Sequence, residues 1–379
     1  MDHPFWKKSF KLTQQHDLNI LLSCGITELW IDTSQGLDVS STQLEKSDEN
    51  NNADLQKIVG SGDDFAVKPK ITLREELFRA RKIHNKARQA VLAMFTEARM
   101  GKAIKLEQAS ELVGEINLSI TRNSDALLSL VRLKTADNYT YLHSVAVCAL
   151  MIALGERLGL EGDLRKEIGT AGLLHDVGKM FIPNKILNKP GRLTDQEFAT
   201  IREHPRMGWE LLKKSEGIGE ISLDVCLHHH ERIDGRGYPE GLSGEALNLY
   251  ARMGAVCDVY DAITSNRCYK PGWEPAESIR KMAEWRNGHF DEAIFQAFVK
   301  TVGIYPVGSL LKLDSGRLAV VMEQNRGNLL APLVKVFFST RAQSPIPQKL
   351  VDLSKSQDAV ANLEDPGKWG FDLNKIVEM

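Results

Sequence analysis

The chain is short of the features that would tie it to an oxidising compartment, a membrane or a nucleic-acid polymer. Its five cysteines, Cys24, Cys148, Cys226, Cys257 and Cys268, are odd in number and widely spaced, with no Cys-x-x-Cys pair. That pattern excludes a disulfide framework and a zinc knuckle, and reads as reduced thiols in a cytoplasmic protein. There is no run of the roughly 18 apolar residues that a membrane span needs, and no apolar signal segment at the N-terminus. Charge of one sign is not in excess either, because 48 Lys and Arg meet 50 Asp and Glu. A polymer-binding track is therefore not expected, and any affinity for phosphate has to be local. Internal repeats are absent.

What is present is ordinary globular text, 42% hydrophobic and 26% charged over 379 residues, enough for two or three domains. Residues 1–70 read as an accessory region: a short alternating piece at 26–31, then a polar, flexible linker over about 32–67. One strand cannot stand alone, so that piece must pack on something else. In 71–134, Thr72 and Glu75 form a capping box. Apolar stripes at spacings of three and four follow, with Asn123-Ser124-Asp125 opening a third short helix. From 135 to 305 helical periodicity is nearly continuous (141–160, 164–174, 195–214, 221–230, 249–265, 275–284, 291–301), interrupted by a glycine-rich loop over 234–244. Residues 306–379 turn strand-rich, with strands expected at 308–313, 317–322 and 332–338. The fold class is mostly α: a helical bundle with a small α/β or β region built from the N- and C-terminal segments.

Six of the ten histidines fall between 143 and 230. His175-Asp176 places an imidazole and a carboxylate at one point of the backbone, a donor pair suited to two divalent metals sharing an oxygen ligand. Lys179 follows His175 by one helical turn, where a cation can meet a phosphate held by metals. Any single buried histidine is explained by one hydrogen bond, but three in a row, His228-His229-His230, are harder to explain that way. Helices that each deliver one or two N or O ligands are how bundles build dimetal sites. Imidazole and carboxylate without thiolate favour iron, manganese or zinc.

Three stretches together resemble the HD-GYP phosphodiesterases of bacterial cyclic di-GMP signalling. They are His175-Asp176-Val177-Gly178-Lys179, the run from His229 to Gly237-Tyr238-Pro239, and the run from Asp258 to Arg267 and Lys270. The resemblance covers about 135–305 and implies an HD-type helical catalytic domain. The preceding text resembles the accessory domain that often precedes this module, with its usual opening strand expected to be missing.

The resemblance implies metal ligands at His143, His175, Asp176, His204, His229, His230 and Asp258, with His228 outside the set and Asp261 supporting it. Two divalent ions, iron or manganese, are expected, bridged by Asp176: His143, His175 and Asp258 would complete one, and His204, His229 and His230 the other. Some members bind a third metal through a Glu one turn before the first histidine; here that position is Tyr139. Asp176 and Lys179 are the catalytic pair, a metal-bridging hydroxide the expected nucleophile. Lys179, Arg267 and Lys270 would contact substrate phosphate, although an Arg and a Lys near a helix C-terminus also serve as caps. Gly237-Tyr238-Pro239 reads as a rigid turn whose Tyr238 presents a groove lip or a docking surface for diguanylate cyclase-type proteins. The expected reaction is hydrolysis of cyclic di-GMP to pGpG, with GMP as an open second step. Alternatives are hybrid cyclic GMP-AMP as substrate, or a silent cyclic-dinucleotide sensor. A homodimer is compatible with this reading, a nucleic-acid polymer is not.

Overall fold

The computed structural model describes residues 71–132, 139–189, 191–265, 272–325, 327–371, 373 and 376. All lie within the compact unit Asn52–Met379. The strand expected at 26–31, the linker, Arg267 and Lys270 lie outside the described residues.

Helix α1 (Leu73–Arg99) starts where the capping box places it. Thr72 Oγ1 accepts from Glu75 N–H, and Glu75 Oε2 accepts from Thr72 N–H at 2.9 Å. Helix α2 (Leu106–Arg132) is interrupted at Asn123, whose φ of −162° and ψ of 102° break the coil. The side chain of Asn123 accepts from Asp125 N–H, so the third helix expected there is the second limb of a kinked α2. Glu76 is fully buried between the two helices and accepts from Ser119 and Arg122, both at 2.7 Å.

Helix α3 (Tyr139–Arg157) is buried on every side from Leu142 to Leu154, as a helix apolar all round has to be. Helix α4 (Gly162–Leu174) lies against it at Gly172, where a Cβ would stand only 3.0 Å from the Cys148 Cα. A 3-10 turn (Val177–Phe181), α5 (Asn184–Leu187), α6 (Asp195–Arg202), α7 (His204–Lys213) and α8 (Glu220–His228) follow. The single helix expected over 195–214 is broken at Glu203. Pro205 has no N–H to give Ile201 O, and His204 Nδ1 donates to that carbonyl instead, at 2.7 Å. Then come α9 (Leu249–Thr264), α10 (Pro275–His289) and α11 (Glu292–Val302), with Asn248 and Asp291 capping α9 and α11.

The C-terminal segment forms an antiparallel sheet of β1 (Leu310–Leu313), β2 (Arg317–Glu323), β3 (Leu333–Ser339), β4 (Ser344–Asp352) and β5 (Val360–Glu364), in the order β4-β3-β2-β1-β5. Its register pairs Leu310 with Val320 and Val321 with Val334. Period-two alternation sends Leu311, Ala319, Val321 and Val334 into one core with Phe295, Phe298 and Val302 of α11, while Leu310, Leu318, Val320 and Phe337 face the other side. Among the described residues the fold is mostly helical with one small antiparallel sheet. The three expected strands are present, and β4 and β5 are additions to them.

Candidate metal centre

His175 occupies the C-cap of α4, so Asp176 sits where the helix has ended and the 3-10 turn has not begun. At that junction backbone carbonyls are left unpaired, and Gly172 O takes the Nδ1–H of His175 at 2.8 Å. The ring is thereby fixed with Nε2 pointing away from the backbone. The same device recurs at His204, through Ile201 O, and at His229, through Val225 O and Cys226 O at 3.1 and 3.0 Å. His143, on α3, is held instead by a carboxylate: its Nδ1 lies 2.6 Å from Asp261 Oδ2. A partner on one ring nitrogen sets the tautomer and raises the basicity of the other, which is how imidazoles are prepared for metals.

The seven sequence-implied ligand residues fall into two adjacent groups, His143, His175 and Asp258 in one and Asp176, His204, His229 and His230 in the other. Within each group the donor atoms lie within 4.8 Å of one another. Asp176 stands between them. Its Oδ1 is 3.2 Å from His204 Nε2 and 3.6 Å from His229 Nε2, and its Oδ2 is 3.4 Å from both His143 Nε2 and His175 Nε2. Asp258 Oδ1 lies 2.9 Å from His143 Nε2, and its Oδ2 3.7 Å from His230 Nδ1.

Burial would raise both Asp176 and Asp258. It is outweighed, at Asp176 by Lys179 and His175 and at Asp258 by His143 and His175, so both stay well below the usual carboxylate range. Burial pushes His229 down to about 4 and lowers His204 and His230, keeping three imidazoles neutral at physiological pH. At His175 burial works downward too, but the facing Asp176 and Asp258 pull it up. His175 Nε2 and Asp176 Oδ1 are buried with no hydrogen-bond partner among the described residues. Buried polar atoms left open in this way, in a pocket of imidazoles and carboxylates without thiolate, fit N/O-bound divalent metal.

Lys179 reaches the centre by a route other than the α-helical turn expected from its spacing. The 3-10 turn makes it an i+3 neighbour of Asp176, with Nζ 2.5 Å from Oδ2. His228 points elsewhere, to Asp224 at 2.8 Å and Glu240 at 3.4 Å. Tyr238 stacks on His230 with ring centroids 4.7 Å apart and 27° between planes, and the Arg202 guanidinium lies 4.7 Å above the Tyr238 ring. Gly235, Gly241 and Gly244 have positive φ, as turns require, whereas Gly237 is needed for space: a Cβ there would run into the Glu231 backbone. Pro239 follows through a cis peptide bond.

Three participants were not legible in the sequence. Glu231 is buried, and its Oε1 accepts from Glu240 N–H and Gly241 N–H at 2.7 and 2.9 Å, pinning the glycine-rich loop beside the histidines. Gly178 and Gly208 let the 3-10 turn touch α7 backbone to backbone, since a Cβ on Gly208 would stand 3.0 Å from Gly178 N. The signal available for Glu231 was its place directly after two candidate ligands.

Residues 120–294 match the HD domain family, and residues 1–109 match a domain of unknown function (DUF3391). The chain is 54% identical over 374 residues to the cyclic di-GMP phosphodiesterase PA4108 of Pseudomonas aeruginosa, covering 98% of this chain and 88% of that one. It is 36% identical over 241 residues to the cyclic di-GMP phosphodiesterase response regulator RpfG of Xanthomonas campestris, covering 62% and 61% of the two chains. A 3'3'-cGAMP-specific phosphodiesterase of Vibrio cholerae matches at 34% over 178 residues, 47% of this chain and 41% of that one. Among solved structures, the HDG"Y"P protein Bd1817 of Bdellovibrio bacteriovorus superposes with a TM-score of 0.50 at 20% identity, over 68% of this chain and 80% of that one, a likeness of fold.

Proposed function

The chain belongs to the HD-GYP family of cyclic di-GMP phosphodiesterases, and we propose that its metal-dependent hydrolysis of cyclic di-GMP takes place at the seven-residue centre around Asp176. The observation that carries the assignment is the pair of donor groups meeting at Asp176, with His175 Nε2 and Asp176 Oδ1 buried and without a hydrogen-bond partner among the described residues. In this reading His143, His175 and Asp258 would hold one divalent ion and His204, His229 and His230 the other, with Asp176 available to both; iron or manganese suits the donors. When bound, such ions supply Lewis acidity toward a phosphoryl oxygen and activate water at neutral pH.

The protein's own residues do the rest. Neutral His204, His229 and His230 offer lone pairs without first losing a proton, and Asp261 aims His143. Lys179 keeps Asp176 ionised and brings its positive charge toward the phosphate as negative charge grows on its oxygens. Arg267 and Lys270 are assigned a phosphate-contacting role from the motif they belong to. Gly237-Tyr238-Pro239 is the surface we assign to a substrate-groove lip or to docking of a diguanylate cyclase-type partner. No helix among the described residues is long and apolar enough to cross a membrane, which suits the proposed cytoplasmic location.

The test is to load purified protein with iron or manganese under reducing conditions and incubate it with cyclic di-GMP and, separately, with hybrid cyclic GMP-AMP. Chromatography of the products should show linear dinucleotide from cyclic di-GMP at the higher kcat/KM. No turnover with metal confirmed bound would sink the catalytic reading in favour of a sensor, and faster cleavage of the hybrid would reassign the substrate.

A further inference from the structure

We propose that Arg202 is a specificity-determining substrate contact, taking the phosphate of the cyclic dinucleotide that is not being cut. The inference rests on the substrate proposed above, because it requires a ligand with two phosphodiesters.

Arg202 is the last residue of α6, exposed to solvent, with its guanidinium over the Tyr238 ring. That ring in turn stacks on His230, so Tyr238 touches both the arginine and a residue of the metal centre. The loop that carries Tyr238 is held at several points. Tyr238 N–H donates to His230 O at 3.2 Å, Gly237 is packed on the Glu231 backbone, and the Glu231 carboxylate grips the far side of the loop. A guanidinium lying on an aromatic face keeps its in-plane N–H donors available, in the fork that matches two phosphate oxygens.

Availability separates Arg202 from its neighbour. Arg206 is committed to Glu240 at 3.5 Å, whereas Arg202 makes no ion pair with any described residue. The chemistry of the substrate supplies the need. A cyclic dinucleotide carries two phosphodiesters on opposite sides of its ring, so when one sits among the imidazoles the other projects away with its own negative charge. A chain of net charge −2 offers little diffuse positive field to receive it, so local cations have to, and Arg202 joins the motif residues Arg267 and Lys270 in doing so.

The experiment compares Arg202→Ala and Arg202→Lys with wild type, all metal-loaded, on cyclic di-GMP and on bis(4-nitrophenyl) phosphate, which has a single phosphate. Removal of a charge-assisted contact should raise KM for cyclic di-GMP roughly tenfold more than KM for the single-phosphate ester. Metal content should match wild type, and Arg202→Lys should fall between. Equal effects on both substrates would place Arg202 in support of the metal centre, and no effect on either would place it outside the site; each overturns the proposal. If wild type itself does not cut cyclic di-GMP, the functional reading fails separately. Equilibrium binding then decides this one: an equal Kd for wild type and Arg202→Ala overturns it, a Kd raised roughly tenfold supports it.

Discussion

Asp261 separates the orientation of a ligand from ligation itself. Its Oδ2 lies 2.6 Å from His143 Nδ1, on the side of the ring away from Asp258 and Asp176. Asp261→Asn keeps an acceptor for that N–H but removes the charge that raises the basicity of Nε2. Metal affinity should fall about 10- to 100-fold, as is usual for such partners, while the thermal transition of the metal-free protein stays within a few degrees. Metal-competition titration against a chelator checks it, and unchanged affinity would reduce Asp261 to a packing role. At this scale much was legible: His175-Asp176 and the run of three histidines declare their donor chemistry by type, whereas Asp261, one turn after Asp258, was ambiguous between ligand and support. Glu231 did not declare itself, because nothing in a lone glutamate says that its carboxylate will fold back on Glu240 N–H and Gly241 N–H. Its role depends on the path of a loop, which residue type does not encode.

Among elements, the seam that matters is the backbone contact between the 3-10 turn and α7. Gly178 faces the carbonyl of His204 with no room for a methyl group, and Gly208 lies between Gly178 N and Cys226 Sγ. The seam fixes the distance between Asp176, on one side, and His204, on the other. Gly178→Ala therefore has to push α7 outward. The expected cost is about 1–3 kcal/mol of stability from overpacking, with a weakened hold on metal because Asp176 and His204 part. Thermal unfolding and elemental analysis of the variant check both, and a fully loaded variant of wild-type stability would show that the seam is loose. Element boundaries were readable where a cap or a breaker stands, as at Thr72 with Glu75 or at Asn123. They were less readable at Glu203, where the period of the apolar residues runs on across Pro205 and only the missing N–H breaks it. Strands β4 and β5 escaped for the opposite reason. Ser344–Asp352 is largely exposed, with prolines at 345 and 347, so it carries little apolar alternation and is recruited by pairing with β3.

At the scale of the whole molecule, burial of imidazole has a consequence for acid stability as well as for catalysis. Burial pushes His289 down to about 4; it lies at the end of α10, stacked on Phe290 with centroids 4.3 Å apart. A histidine depressed in the fold takes up its proton more readily unfolded, so its contribution is present above about 6.5 and is lost as pH falls toward about 4. The metal-free protein should accordingly lose thermal stability across that window, and His289→Phe, which keeps the stack, should lose less; parallel curves for the two proteins would show that His289 does not drive the loss. The extent of hydrolysis is set at the same scale, by what the whole site can hold after the first cut. Opening cyclic di-GMP needs one in-line displacement, whereas cutting pGpG requires a terminal phosphate, with added negative charge, to sit beside the same carboxylates. A further cation would offset that charge, but residue 139, one turn before His143 at the start of α3, is a tyrosine with no carboxylate to hold one. Two ions per chain and accumulation of pGpG are therefore expected, with GMP appearing at least roughly tenfold more slowly, since a tenfold rate difference needs only about 1.4 kcal/mol at the barrier. A time course with separated products checks it, together with elemental analysis: GMP rising as fast as cyclic di-GMP disappears, or three ions per chain, would show that the centre neutralises the second phosphate by other means.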